Sequence, residues 1–124
     1  AHNLVRNDRQ PWGVYELAYS PDDQWLAFHN NNNLHIWSVP ERRLYASFDS
    51  VEVKFTFSPD STLLAAGDAL GRVTLYAVPS GRKLAEFDAS LGEITGLAFS
   101  ADGGMLIVTA EDGIIRLFGI LARR

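Results

Sequence analysis

The sequence predicts an all-β protein assembled from consecutive four-stranded antiparallel sheets. Two observations predict it. A turn segment, Ala18-Tyr19-Ser20-Pro21-Asp22-Asp23, returns as Thr56-Phe57-Ser58-Pro59-Asp60-Ser61 and again as Ala98-Phe99-Ser100-Ala101-Asp102-Gly103, with 38 residues from Ser20 to Ser58 and 42 from Ser58 to Ser100. Between these returns lie short runs of β-branched, aromatic and aliphatic residues bounded by turn residues, and none has a helical period. Four short antiparallel strands repeating at about 40 residues are the pattern of a β-propeller blade.

The elements follow in the same order in each copy. An inner strand precedes the serine: Val14 to Tyr19, Val53 to Phe57 and Ile94 to Phe99. The second strand is a short apolar run, Trp25-Leu26-Ala27-Phe28, Leu63-Leu64-Ala65-Ala66 or Met105-Leu106-Ile107-Val108. A hairpin leads to an alternating third strand that ends in an aromatic residue: Leu34-His35-Ile36-Trp37, Val73-Thr74-Leu75-Tyr76 and Ile115-Arg116-Leu117-Phe118. The fourth strand holds Leu44 to Phe48 or Lys83 to Phe87, and in the third copy at most Ile120-Leu121 begin one. The chain therefore divides into blade one at about 12–48, blade two at about 51–87 and blade three at about 93–124 with an incomplete outer strand. Residues 1–11 form an N-terminal extension, within which His2 to Val5 could serve as a donated strand.

The turns have their own chemistry. In Ser-Pro-Asp the proline presets one backbone angle, and the serine and aspartate side chains can bond nearby backbone groups. Asp112-Gly113 and Gly71 supply residues that tolerate positive φ in the middle hairpins, and Asn30 to Asn33 occupy the corresponding hairpin of the first copy. Phe57 and Phe99, each just before its turn serine, are expected to carry comparable packing energy.

Composition narrows the function. The 124 residues are 47% hydrophobic, enough for one modest core. Eleven Lys and Arg against fifteen Asp and Glu leave a net charge of −4, with the cations dispersed, so a nucleic-acid partner is not expected. No apolar run approaches the roughly 18 residues of a membrane-spanning helix, so no membrane partner is expected either. Cysteine is absent, which excludes disulfides and thiolate metal sites.

Together these residues resemble the Trp-Asp (WD) repeat family of β-propellers, over about 12–118. The third copy matches best, through Ile94 to Gly103, Glu111-Asp112-Gly113 and Ile115-Arg116-Leu117-Phe118. The family dipeptide reads Trp37-Ser38, Tyr76-Ala77 and Phe118-Gly119 here, and the family's Gly-His before the inner strand is missing. Its buried His-Ser/Thr-Asp-Trp network is matched only by Asp112 and Trp37, in different copies, so these blades are expected to rely on apolar packing. The resemblance implies a protein-protein interaction scaffold that is not an enzyme and has no cofactor. Alternatives are a propeller segment accessory to a catalytic domain outside this chain and a self-assembling structural ring.

Propellers close with about four to eight blades, so three would leave two apolar faces uncovered. Additional blades, in the same polypeptide or from other copies, are expected as partners beside a protein or peptide ligand. Candidate partner-binding residues are Trp12, Asn32 and Glu111, all in loops leading to or joining strands. His29 and His35 flank one hairpin: a two- or four-residue turn would send them to opposite faces of the sheet, and a three-residue turn to the same face. Ordinary strand histidines are the expectation there, with no metal. The acidic pairs Asp22-Asp23 and Glu111-Asp112 lie in turns, where carboxylates are expected on structural grounds. No nucleophile elbow, phosphate loop or His-Glu-x-x-His motif is present.

Overall fold

The computed structural model describes residues 16–30, 33–50, 52 and 54–120. The first sheet is β1 (Glu16–Tyr19), β2 (Trp25–Asn30), β3 (Asn33–Ser38) and β4 (Arg43–Asp49). The second is β5 (Lys54–Phe57), β6 (Leu63–Gly67), β7 (Arg72–Ala77) and β8 (Lys83–Asp88), and the third is β9 (Ile94–Phe99), β10 (Met105–Ala110) and β11 (Ile115–Gly119). Within each sheet every strand pairs antiparallel with its neighbour in sequence. Among the described residues the third sheet has three strands where the others have four.

The serine turns explain why the chain reverses three times in the same way. Ser20 Oγ donates to Asp22 Oδ1 at 2.6 Å, Ser58 Oγ to Asp60 Oδ1 at 2.7 Å and Ser100 Oγ to Asp102 Oδ1 at 2.8 Å. Each serine oxygen also accepts the first amide of the following strand, from Trp25, Leu63 and Met105 at 2.9, 3.0 and 3.0 Å. The residue after each aspartate takes positive φ: Asp23 at 65°, Ser61 at 64° and Gly103 at 76°. The side chains thus saturate amides that the tight turn takes out of the ladder.

Two core layers separate the three sheets. Between the first and second, Ala27 and Leu34 meet Phe55, Phe57, Leu64, Ala66 and Tyr76, with Trp25 and Phe48 packed at the margin. Between the second and third, Ala65, Val73 and Leu75 meet Ile94, Leu106 and Val108, with Phe87 and Phe118 at 4.8 Å between ring centroids. The second sheet is covered on both faces, and all five residues of β6 are buried. This is the near-continuous apolar pattern of a sheet with no solvent side.

The outermost faces differ. On the third sheet Ile115 is 65% and Leu117 58% exposed, whereas their positional equivalents Val73 and Leu75 are buried. On the first sheet Leu17 and Tyr19 stand out in solvent. The inner-strand aromatics therefore diverge: Phe57 is buried, Phe99 half-buried and Tyr19 exposed. The expectation of comparable packing energy at Phe57 and Phe99 does not survive this arrangement, because only Phe57 belongs to a sheet enclosed on both sides.

One buried polar network supplements the apolar packing. Glu52, between β4 and β5, is buried, and its carboxylate accepts hydrogen bonds from the hydroxyls of Ser50, Thr74 (3.0 Å) and Tyr76 (3.1 Å). A buried carboxylate is tolerated when its lone pairs are taken up in this way. Burial, followed by the charge of Glu52, holds the Tyr76 phenol above its ordinary pKa. The network ties the connection entering the second sheet to β7.

Candidate interaction surface

Hairpins β2–β3, β6–β7 and β10–β11, together with the connections between sheets, emerge at one end of the strands, and the serine turns emerge at the other. The first end is interlocked. Gly71 O, in the β6–β7 hairpin, accepts the amides of Ala89 (2.7 Å) and Ser90 (3.1 Å), and Asp68 O accepts that of Ile94 (3.0 Å). Glu111 N donates to Glu93 O at 2.9 Å while Glu111 Oε1 accepts from Glu93 N at 3.2 Å. Three loops, 68–72, 88–94 and 110–116, are thereby joined into one strip.

The hairpins are shaped by aspartates as well as glycines. Asp68 Oδ1 accepts the amides of Leu70 (2.9 Å) and Arg72 (2.8 Å), and Gly71 sits at φ 93°. A Cβ on Gly71 would lie 2.2 Å from Ser90 O, so the close approach of the two loops also requires glycine. In the third sheet Asp112 Oδ1 accepts from Ile114 N at 3.0 Å, and Arg116 pairs with Asp112 at 2.8 Å. Hydrogen bonding from Arg116, then from Ile114 N, holds the Asp112 carboxyl below the usual carboxylate pKa.

Of the candidate partner-binding residues, Glu111 lies exposed on this strip. Trp12 and Asn32 lie outside the described residues. In the first hairpin Asn30 pairs with Asn33, which leaves two residues between the strands. His29 and His35 consequently project from opposite faces. His29 Nε2 lies 3.2 Å from Ser50 O, and His35 stacks on Phe28 at 5.0 Å with Nδ1 2.6 Å from Ser47 Oγ. Among the described residues no three His, Asp or Glu side chains converge on a metal position, and no helix is long and apolar enough to cross a membrane.

Among the described residues, two open cavities flank the second sheet. One, of about 370 Å³, lies against the third sheet and is lined by Leu75, Leu84, Phe87, Phe118 and Ile120. The other, of about 390 Å³, lies against the first and is lined by Phe48, Glu52, Tyr76, Lys83 and Glu86. Sequence reasoning missed Glu52 and three apolar residues at the strip, Leu70, Leu91 and Ile114. The latter did leave a signal, since each is a large apolar residue inside a turn segment otherwise made of Asp, Ser, Gly, Glu and Ala.

Residues 81–119, which run from the outer strand of the second sheet through the whole described third sheet, match the family model of the WD domain, G-beta repeat. Over 107 residues the sequence is 30% identical to pre-mRNA-processing factor 19 homolog 2 of Arabidopsis thaliana, covering 84% of this chain and 19% of that protein. The chain carries a WD repeat. A WD repeat-containing protein of Synechocystis is 28% identical over 113 residues, covering 86% of this chain and 32% of its own length. The backbone matches the crystal structure of the RRP9 WD40 repeats with a TM-score of 0.82 at 20% identity, over 91% of this chain and 37% of that one, a likeness of fold. The chain thus spans about a fifth to a third of the length of these two curated relatives. WD repeats generally serve as non-catalytic scaffolds and typically bind protein partners.

Proposed function

We propose that this chain is a segment of a WD-repeat scaffold that binds a protein partner at the loop end carrying Glu111, and that it performs no catalysis itself. The observation that carries this reading is the hydrogen-bonded strip of three loops above two enclosed core layers. A surface held rigid by backbone hydrogen bonds and packed sheets loses little entropy on binding, so its contacts convert into affinity. Trp12 and Asn32 belong to the same proposed surface by their place in the repeat. The reading extends to blades one, two and three at about 12–48, 51–87 and 93–124, acting as one part of a ring that other blades complete. Pre-mRNA-processing factor 19 homolog 2 and a pre-rRNA-processing protein of Mycosarcoma maydis are among the relatives. Their names favour RNA processing as the setting, with the partner a protein.

A photo-crosslinking amino acid at Glu111, compared with one at Ala101 in the opposite serine turn, tests the reading in cells expressing the protein. Discrete protein adducts are expected from position 111 and not from position 101. Adducts of equal yield from both ends, or from neither, would refute it.

A further inference from the structure

We propose that the strip of loops 68–72, 88–94 and 110–116 docks a basic protein segment bearing a large apolar residue between its cations, a reading that rests on the interaction role proposed above. Leu91 is 101% exposed, Leu70 77% and Ile114 51%. A single exposed leucine is ordinary on a protein surface. Here one such residue stands on each of three neighbouring loops that are bonded to one another through Gly71, Asp68, Glu93 and Glu111. Apolar anchors held on a rigid support and surrounded by polar groups are the arrangement of an interface centre.

Charge selects the partner. The same loops carry five carboxylates, Asp68, Asp88, Glu93, Glu111 and Asp112, against two cations, Arg72 and Arg116. Both cations are engaged locally, Arg72 with Asp88 at 3.4 Å and Glu86 at 3.7 Å, and Arg116 with Asp112 at 2.8 Å. The field around the leucines is therefore negative. It attracts lysine or arginine flanks and repels an acidic segment carrying the same apolar centre. Glu111 contributes twice, since its Oε1 fixes the loop at Glu93 N while its charge faces solvent.

The test uses the full chain and three labelled short peptides, followed by fluorescence anisotropy. One has a leucine and phenylalanine centre with lysine and arginine flanks, the second the same centre with glutamate flanks, and the third basic flanks around a serine centre. The first should bind at least about tenfold more tightly than either control, and its affinity should fall with added salt. Leu91→Ser should weaken it about tenfold, and Glu111→Gln with Glu93→Gln should weaken it severalfold and flatten the salt dependence. The urea midpoint of each variant establishes that the fold is retained. Equal binding of the acidic peptide, or basic-peptide binding unchanged by Leu91→Ser, overturns the inference. In the first case, loss of that binding in Leu91→Ser would still leave the interaction surface standing. Failure of all three peptides overturns the inference alone, because the crosslinking at Glu111 tests the broader reading independently.

Discussion

Replacing Glu52 should unfasten the second sheet from the connection that enters it. Glu52 is 5% exposed, and its carboxylate accepts from Ser50, Thr74 and Tyr76, of which Thr74 is 0% and Tyr76 4% exposed. A hydrogen bond to a charged group contributes about 1.5–3 kcal/mol, and a buried hydroxyl left without its acceptor costs about 1–3 kcal/mol. Removing the charge returns part of its own desolvation cost, so three stranded hydroxyls in Glu52→Ala give a net loss of about 3–5 kcal/mol. Glu52→Gln keeps the shape and one acceptor, which limits its loss to about 1–2 kcal/mol. Urea unfolding followed by tryptophan fluorescence reads both as a lower midpoint at unchanged slope. Tyr76→Phe should cost about 1 kcal/mol alone and less in the Glu52→Gln background, because the two side chains share one bond. A Glu52→Ala chain within about 1 kcal/mol of the parent, with additive Tyr76→Phe and Glu52→Gln effects, would refute the stabilising role of the network.

Three further expectations follow from packing, backbone and charge. Phe57→Ala should destabilise by about 3–5 kcal/mol and Tyr19→Ala by under about 1 kcal/mol, with Phe99→Ala between them, since cavity cost scales with burial; equal midpoints for the three would contradict the sheet order. Gly71→Ala should cost more than about 2 kcal/mol, because it combines positive φ with a collision against Ser90 O, whereas Gly113→Ala, with nothing within 4 Å, should cost about 1 kcal/mol. Comparison of their midpoints checks this, and a Gly113 effect as large as that at Gly71 would contradict it. Burial and then repulsion from His29 hold His35 below its ordinary pKa of 6.5, so the unfolded chain takes up its proton first as pH falls. The stability associated with a neutral His35 is present above pH 6.5 and is lost as pH drops below it towards the folded pKa. Unfolding at pH 7.5 and pH 5.5, approximate conditions set about one unit either side of that value, should differ less in His35→Gln than in the parent.

The strands, their order and the serine turns were legible because each is written locally. Ser-Pro-Asp or Ser-Ala-Asp specifies its own hydrogen bonds, and β9 spans the very residues the alternation outlines, Ile94 to Phe99. The two-way choice for His29 and His35 was likewise decided by a quantity countable along the chain, the length of one turn. What the repeat could not convey was position within the stack. Val73 and Ile115 occupy the same register, yet one is buried and the other 65% exposed, because burial depends on whether another sheet follows. Glu52 was illegible for a related reason: its three donors come from residues 2, 22 and 24 positions away, a meeting set by how β4, β5 and β7 pack together. Of the strip, Glu111 was identified as a loop residue, while Leu70, Leu91 and Ile114 passed unremarked because apolar residues ordinarily signal core.

Every ladder among the described residues joins strands adjacent in sequence, and the longest reach of any paired register is 16 residues, from Asn33 to Asp49, from Arg72 to Asp88 and from Ile94 to Ala110. Loop-closure entropy grows slowly with separation and is smallest for such short connections, so each sheet can form before it finds its neighbour. Cooperativity then resides in the two apolar layers between sheets, as in a linear array of coupled units. The second sheet, coupled on both sides, should be the last to exchange its amide hydrogens, and the outer strand β11 among the first. Hydrogen-exchange rates ranked by sheet would read this gradient directly, and uniform protection across all three would mean that the chain unfolds as a single unit.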